Sequence, residues 1–134
     1  MCGFYRYELL YPGVSYLPNP LWDDGFRVKR YDSATESSIA SGLHSWHVDR
    51  DSGTSCRELA VIFYLSAVPR GGETLFRSPQ KRAVTPVQGA VLVFPASHSH
   101  VHAGAPPIEG RKYIISNFVS SCDMRERVTS NPPE

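Results

Sequence analysis

The residues best able to do chemistry in this 134-residue chain are its five histidines, and all of them fall in two places. His44 and His47 sit together, with Asp49 two residues beyond His47, and His98, His100 and His102 come later. In a strand, residues i and i+2 share a face with Cα atoms roughly 6.6 Å apart. His47 and Asp49 can therefore meet one ion as neighbouring ligands, and a distant third histidine would complete a two-histidine, one-carboxylate set. Such a set leaves coordination positions open, as in non-haem Fe(II) oxygenases. A His-x-Asp alone carries little weight, because it recurs by chance on solvated strands. The second cluster adds the weight: SHSHVHAG follows the apolar run AVLVFP, and as a strand His98–His102 it would stack three histidines on one face. A structural zinc site would favour cysteine ligands, and Cys2, Cys56 and Cys122 lie near no other ligand-type pair.

These side chains need a scaffold, and the pattern around them is that of strands. Eleven prolines and ten glycines are spread along the chain, so no long window keeps a helical period. The apolar runs are short and rich in β-branched and aromatic residues, which reads as strands between turns. Expected strands are 26–31, 45–49, 58–66, 73–76, 83–86, 90–94, 98–102 and 113–119. Turn residues separate them, as in Asp51-Ser52-Gly53, Pro69-Arg70-Gly71-Gly72 and Ala105-Pro106-Pro107. The one helix signal is around Tyr5–Tyr11. Strands at this spacing indicate an all-β sandwich or barrel.

Composition narrows the function classes. The length suits one domain. Fourteen Lys and Arg against thirteen Asp and Glu leave a net charge of +1, which argues against nucleic acid as the main partner. No stretch reaches the length of a membrane span, and the first residues lack the apolar run of a signal peptide. Three widely spaced cysteines do not make a disulfide framework, so a reducing, cytoplasmic setting is the expectation.

HVD at 47–49 and HAGAPPIEGRKY at 102–113 resemble the iron and 2-oxoglutarate signature of the prolyl 4-hydroxylase-like dioxygenases. That family has Pro four, Gly eight and Lys or Arg ten residues beyond its distal histidine, then an aromatic. From His102 these positions are Pro106, Gly110, Lys112 and Tyr113. Counting from His98 or His100 puts Ile108 or Gly110 in the basic slot, so the register selects His102. RELAVIFYLSAVPRGGETLF, VTPVQGAVLVFP and FRVKRYD resemble further family segments in the same order. The likeness covers roughly residues 26–119.

The resemblance implies a mainly β fold, a double-stranded β-helix (jelly-roll or cupin-like barrel), with few or truncated N-terminal helices. It implies a lead-in at 1–24, the oxygenase domain at 25–121 and a polar tail at 122–134. Fe(II), 2-oxoglutarate and O2 would be required, with ascorbate an optional addition. His47, Asp49 and His102 would bind iron, and Lys112 would face the far carboxylate of 2-oxoglutarate. Tyr64 and Tyr31 are further candidates for the cosubstrate pocket, whereas Thr74 could reach the pocket but is expected to pack a turn. His98 and His100 fall to a loop, or one of them orients a ligand. The implied reaction hydroxylates an unactivated C–H bond, of a peptidyl residue such as proline, with release of succinate and CO2. A small molecule or another side chain as prime substrate, and a non-catalytic jelly-roll module, are the alternatives. A decayed module should have lost one of His47, Asp49, His102 and Lys112, and all four are present.

Overall fold

The computed structural model of the protein describes residues 16–17, 20–33, 46–77 and 82–123. The helix expected around Tyr5–Tyr11, His44 and most of the C-terminal tail lie outside them. Ten strands follow one another: β1 (Trp22–Asp23), β2 (Arg27–Tyr31), β3 (Arg57–Tyr64), β4 (Arg70–Gly71), β5 (Thr74–Phe76), β6 (Ala83–Val84), β7 (Val91–Pro95), β8 (His102–Gly104), β9 (Pro107–Glu109) and β10 (Lys112–Ser120). This is the antiparallel, mainly β architecture of a double-stranded β-helix.

The larger sheet runs β1-β10-β3-β7, with β2 also paired to β10. Strand β10 is its spine, because one face must close the core while the other meets β-branched and aromatic neighbours. Its pairing with β3 sets Ile114 opposite Tyr64, Ser116 opposite Ile62 and Phe118 opposite Ala60. On its other side, β2 pairs Tyr31 with Lys112, and β1 continues with Trp22 opposite Ser120. The register slips by one residue between β2 and β1, where Gly25 takes a positive φ. So β1 belongs to the sheet although it precedes the expected domain start at residue 25.

The smaller sheet runs β6-β5-β8, and a single-residue bridge adds His47 to the free side of β8. The expected strand at 45–49 is thus reduced, among the described residues, to that bridge. Leu59, Ala60, Tyr64, Phe94, Ala103 and Ile114 form the core between the sheets. Among the described residues no helix is long and apolar enough to cross a membrane.

Two expectations are corrected. His98–His102 is not a strand: His98–His100 form one 3-10 turn, and β8 starts only at His102. The His100 N–H bonds back to the Ser97 carbonyl at 3.0 Å, and the Ser99 hydroxyl bonds both Ser97 Oγ and His100 Nδ1. Such local bonds compete with a ladder and bend the chain. The cysteines are also not all unpaired, since Cys56 and Cys122 form a disulfide with Cα atoms 5.7 Å apart. It ties the residue before β3 to the end of β10, pinning Cys122 where a loose tail was expected to begin. Unpaired thiols therefore no longer argue for a reducing compartment.

The Gly71-Gly72 turn carries the chain from β4 towards β5, both residues at positive φ. A Cβ on Gly71 would lie 2.7 Å from the Ile108 nitrogen and the Pro106 carbonyl oxygen, and backbone cannot yield cheaply. Gly89 shares the positive φ, yet a Cβ there would meet nothing within 4 Å. Gly89→Ala should therefore cost only the left-handed penalty, about 1–2 kcal/mol. Gly71→Ala should cost clearly more, read as a larger fall in the denaturation midpoint; equal midpoints would contradict the packing.

Candidate active site

His47 and His102 exchange backbone hydrogen bonds: the His47 N–H donates to the His102 carbonyl at 3.0 Å, and the His102 N–H returns at 2.9 Å. That bridge sets the imidazoles side by side, ring centroids 4.3 Å apart. Asp49, two residues on, completes the group. Its Oδ1 is 3.6 Å from His47 Nε2 and its Oδ2 is 3.4 Å from His102 Nε2. One ligand atom from each residue lies within 4.8 Å of the others, a spacing one ion can span. The donor set of two imidazoles and one carboxylate suits Fe(II).

His102 is buried, and its Nδ1 lies 3.0 Å from the His100 carbonyl oxygen. Nδ1–H must donate to that carbonyl, which leaves the Nε2 lone pair aimed at Asp49 and the metal position. Burial holds the imidazole below its ordinary pKa, against the opposing pull of the Asp49 carboxylate. A neutral ring is the form that ligates. Phe94 packs edge-on against His102 with centroids 4.8 Å apart, and Phe76 lies at 6.0 Å. The His100 ring packs against the same two phenylalanines. His100 thus orients His102 through its carbonyl rather than its side chain.

Asp49 is held by the loop that follows it. The Thr54 hydroxyl donates to the Asp49 carbonyl at 2.8 Å, and Arg57 Nη1 donates to the same oxygen at 3.3 Å. Asp51 closes the loop by accepting from the Gly53 and Thr54 N–H groups, the turn its sequence foretold. The Thr54 hydroxyl first, and then these N–H groups, hold the Asp51 carboxyl below its usual pKa. Arg57 is anchored in turn by Asp24 at 2.8 Å and by the Phe118 ring at 3.8 Å. Sequence reading passed over Thr54, Arg57 and Asp24, whose partners lie far apart along the chain.

A cavity of about 500 Å³ opens beside the triad, lined by His47, Asp49 and His102, by Tyr31 and Thr74, and by the alternate β10 residues Lys112, Ile114, Ser116 and Phe118. Lys112 lies in its wall, 4% exposed, and donates to the Gly72 carbonyl at 2.6 Å. The Tyr31 and Tyr64 rings flank the ammonium at 5.5 and 5.8 Å. Burial lowers the Lys112 pKa to about 8, with the Glu73 carboxylate opposing. Its neighbour Arg111 points outward and pairs with Asp32 at 3.2 Å. Tyr31 is a cavity residue. Tyr64 is 1% exposed and sits behind the wall, its hydroxyl 2.8 Å from Thr74 Oγ1. Thr74, expected first to pack a turn though within reach of the pocket, does line the cavity. Burial raises the pKa of both tyrosines, keeping them neutral.

Residues 28–120 match the family model described as the 2OG-Fe(II) oxygenase superfamily. The chain belongs to that superfamily. It is a 2-oxoglutarate-dependent dioxygenase, using Fe(II), 2-oxoglutarate and O2. Its fold is similar to that of the viral collagen prolyl hydroxylase of Paramecium bursaria Chlorella virus-1 in its 2-oxoglutarate complex, with a TM-score of 0.67 at 19% identity, over 89% of this chain and 70% of that one. A Pseudomonas putida prolyl-4-hydroxylase gives 0.62 at 16% identity, over 87% of this chain and 61% of that one. A Trichoplax adhaerens prolyl hydroxylase, in complex with a hypoxia inducible factor peptide fragment, gives 0.61 at 18%, over 96% and 59%. No curated protein sequence matches this chain.

The burial of Lys112 sets a pH dependence. An anion bound against Lys112 favours the protonated form, so binding above about pH 8 must draw in a proton. Affinity for 2-oxoglutarate should be level below that pH and fall by up to about tenfold per unit above it. Lys112→Ala should weaken 2-oxoglutarate at least about thirtyfold, as for a desolvated charge pair, and lose this dependence. Arg111→Ala should keep both. Titration of the Mn(II)-loaded variants measures this, and the opposite ranking would place the anchor at Arg111.

Proposed function

We propose that this chain hydroxylates a peptidyl proline, with His47, Asp49 and His102 as the iron ligands and Lys112 as the anchor for the far carboxylate of 2-oxoglutarate. The observation that carries the reading is the shared cavity: the ligand triad and a buried ammonium line the same wall-to-wall space. When bound, Fe(II) and 2-oxoglutarate supply the oxidation by O2, with succinate and CO2 released.

The residues of the chain do the rest. His102 and Asp49 are held in place before any ion arrives, by the His100 carbonyl and by Thr54 and Arg57. Lys112 supplies charge to a carboxylate, and Thr74 and Tyr31 border the same end of the cavity. Ala60, Ile62, Ile114 and Phe118 make its floor apolar, which keeps water away from the reacting centre. His47 is half exposed and Trp46 is 39% exposed beside it, so the prime substrate enters over this side. A peptide substrate is supported by the prolyl hydroxylases of like fold, one of them bound to a peptide. Lys29 and Arg30 line the rim, so acidic flanks suit it best.

The test is mass spectrometry of peptides carrying one proline in acidic, neutral and basic flanks, incubated with Fe(II), 2-oxoglutarate and air. Gain of one oxygen on proline is expected, strongest with acidic flanks, and lost when alanine replaces it. Turnover of free proline with every peptide inert would contradict a peptidyl substrate.

A further inference from the structure

Ser116 is the odd residue in the cavity floor. It is 5% exposed, lines the cavity, and its hydroxyl has no hydrogen-bond partner among the described residues. On the β3 side and along β10 its neighbours are Ile62, Ile114, Ala60 and Phe118, which offer nothing polar, and Arg27, opposite it on β2, is exposed and makes no hydrogen bond to the hydroxyl. The other aliphatic hydroxyl in the wall, on Thr74, is already engaged by Tyr64. A buried hydroxyl without a partner lowers stability, so its presence calls for a reason.

Position along β10 says which end of the cavity Ser116 serves. Lys112, Ile114, Ser116 and Phe118 share one face, so Ser116 lies about 13 Å along the strand from Lys112. Phe118 marks the metal end: the guanidinium stacked on its ring at 3.8 Å is the one that reaches the Asp49 carbonyl at 3.3 Å. Ser116 is one step from Phe118 on that face. A dicarboxylate lying from Lys112 to the triad would bring its metal-side oxygens over Ser116, not its far carboxylate.

We propose that Ser116 is a cosubstrate-binding residue, its Oγ–H, enclosed in the ligand-free structure, turning towards the cavity to donate to the metal-side carboxylate of 2-oxoglutarate. This rests on the Fe(II) and 2-oxoglutarate reading of the cavity and adds a residue at the end opposite Lys112. Two consequences distinguish the role from packing. Without ligands, Ser116→Ala removes an unsatisfied polar group, so the melting temperature should hold or rise. With ligands, the same change removes a bond to a charged acceptor.

Binding to Mn(II)-loaded protein, followed calorimetrically, separates the ends through two probes. 2-Oxoglutarate spans both, and oxalate carries only the metal-side carboxylate chemistry. Ser116→Ala is expected to weaken both by about tenfold or more, with Mn(II) affinity unchanged and the ligand-free melting temperature not lowered. Lys112→Ala should weaken 2-oxoglutarate alone. A Ser116→Ala protein that binds both probes like the wild type overturns the proposal, as does one that loses 2-oxoglutarate but keeps oxalate. A wild-type protein that binds neither Mn(II) nor 2-oxoglutarate would instead defeat the underlying cavity reading.

Discussion

Two reciprocal backbone hydrogen bonds between His47 and His102 decide most of what this cavity can do. They are the junction between the loop that carries Asp49 and the smaller sheet, and they leave the two imidazoles no freedom to drift apart. Each partner is held from behind. β8 is zipped to β5, which places Phe76 opposite His102. Arg50 donates its N–H to the Ala96 carbonyl and its guanidinium to Glu58 at 2.6 Å, fixing the loop after Asp49 to β7 and β3. A bridge of this kind is worth little alone, since one net hydrogen bond contributes about 1 kcal/mol. Its effect is geometric: it converts a distant pair of side chains into one prepared ligand set.

The second constraint lies at the far end of the cavity. A lysine that is 4% exposed with a single backbone carbonyl as its described acceptor is an expensive residue in a small domain. The fold nevertheless goes to some length to keep it there. Two positive-φ glycines present the Gly72 carbonyl, and a Cβ on Gly72 would already press on Val68 and approach the Lys112 stem. Tyr31 and Tyr64 supply ring faces, and Glu73 supplies a distant negative charge. These devices lessen the cost of the ammonium without neutralising it. An anion arriving from solution would complete the compensation at this end of the cavity.

Much of this was legible in the sequence because spacing and strand periodicity carry it. The register of the resembled family, ten residues beyond His102, reaches Lys112, and with Lys112 on the cavity face the alternation of KYIISNFV carries Ile114, Ser116 and Phe118 there with it. Other parts were hidden for physical reasons. The alternation of His98, His100 and His102 imitated a strand, but serine hydroxyls beside them favour a local turn. Cys56 and Cys122 meet only because β3 and β10 run antiparallel, which no local pattern reveals. Arg57, Asp24 and Phe118 form one contact group from three separate strands or their margins. Tyr64 reaches the cavity wall through Thr74 and the Lys112 ammonium, contacts between β3, β5 and β10 that no local pattern shows.

The most direct measurement is anaerobic titration of the protein with Fe(II) and 2-oxoglutarate, following the visible charge-transfer absorption of an iron-bound 2-oxo acid. The band should grow to one equivalent of each, persist in His100→Ala and vanish in His102→Ala. No band in the wild type at saturating Fe(II) and 2-oxoglutarate, or an undiminished band in His102→Ala, would contradict a cosubstrate site built on His47, Asp49 and His102.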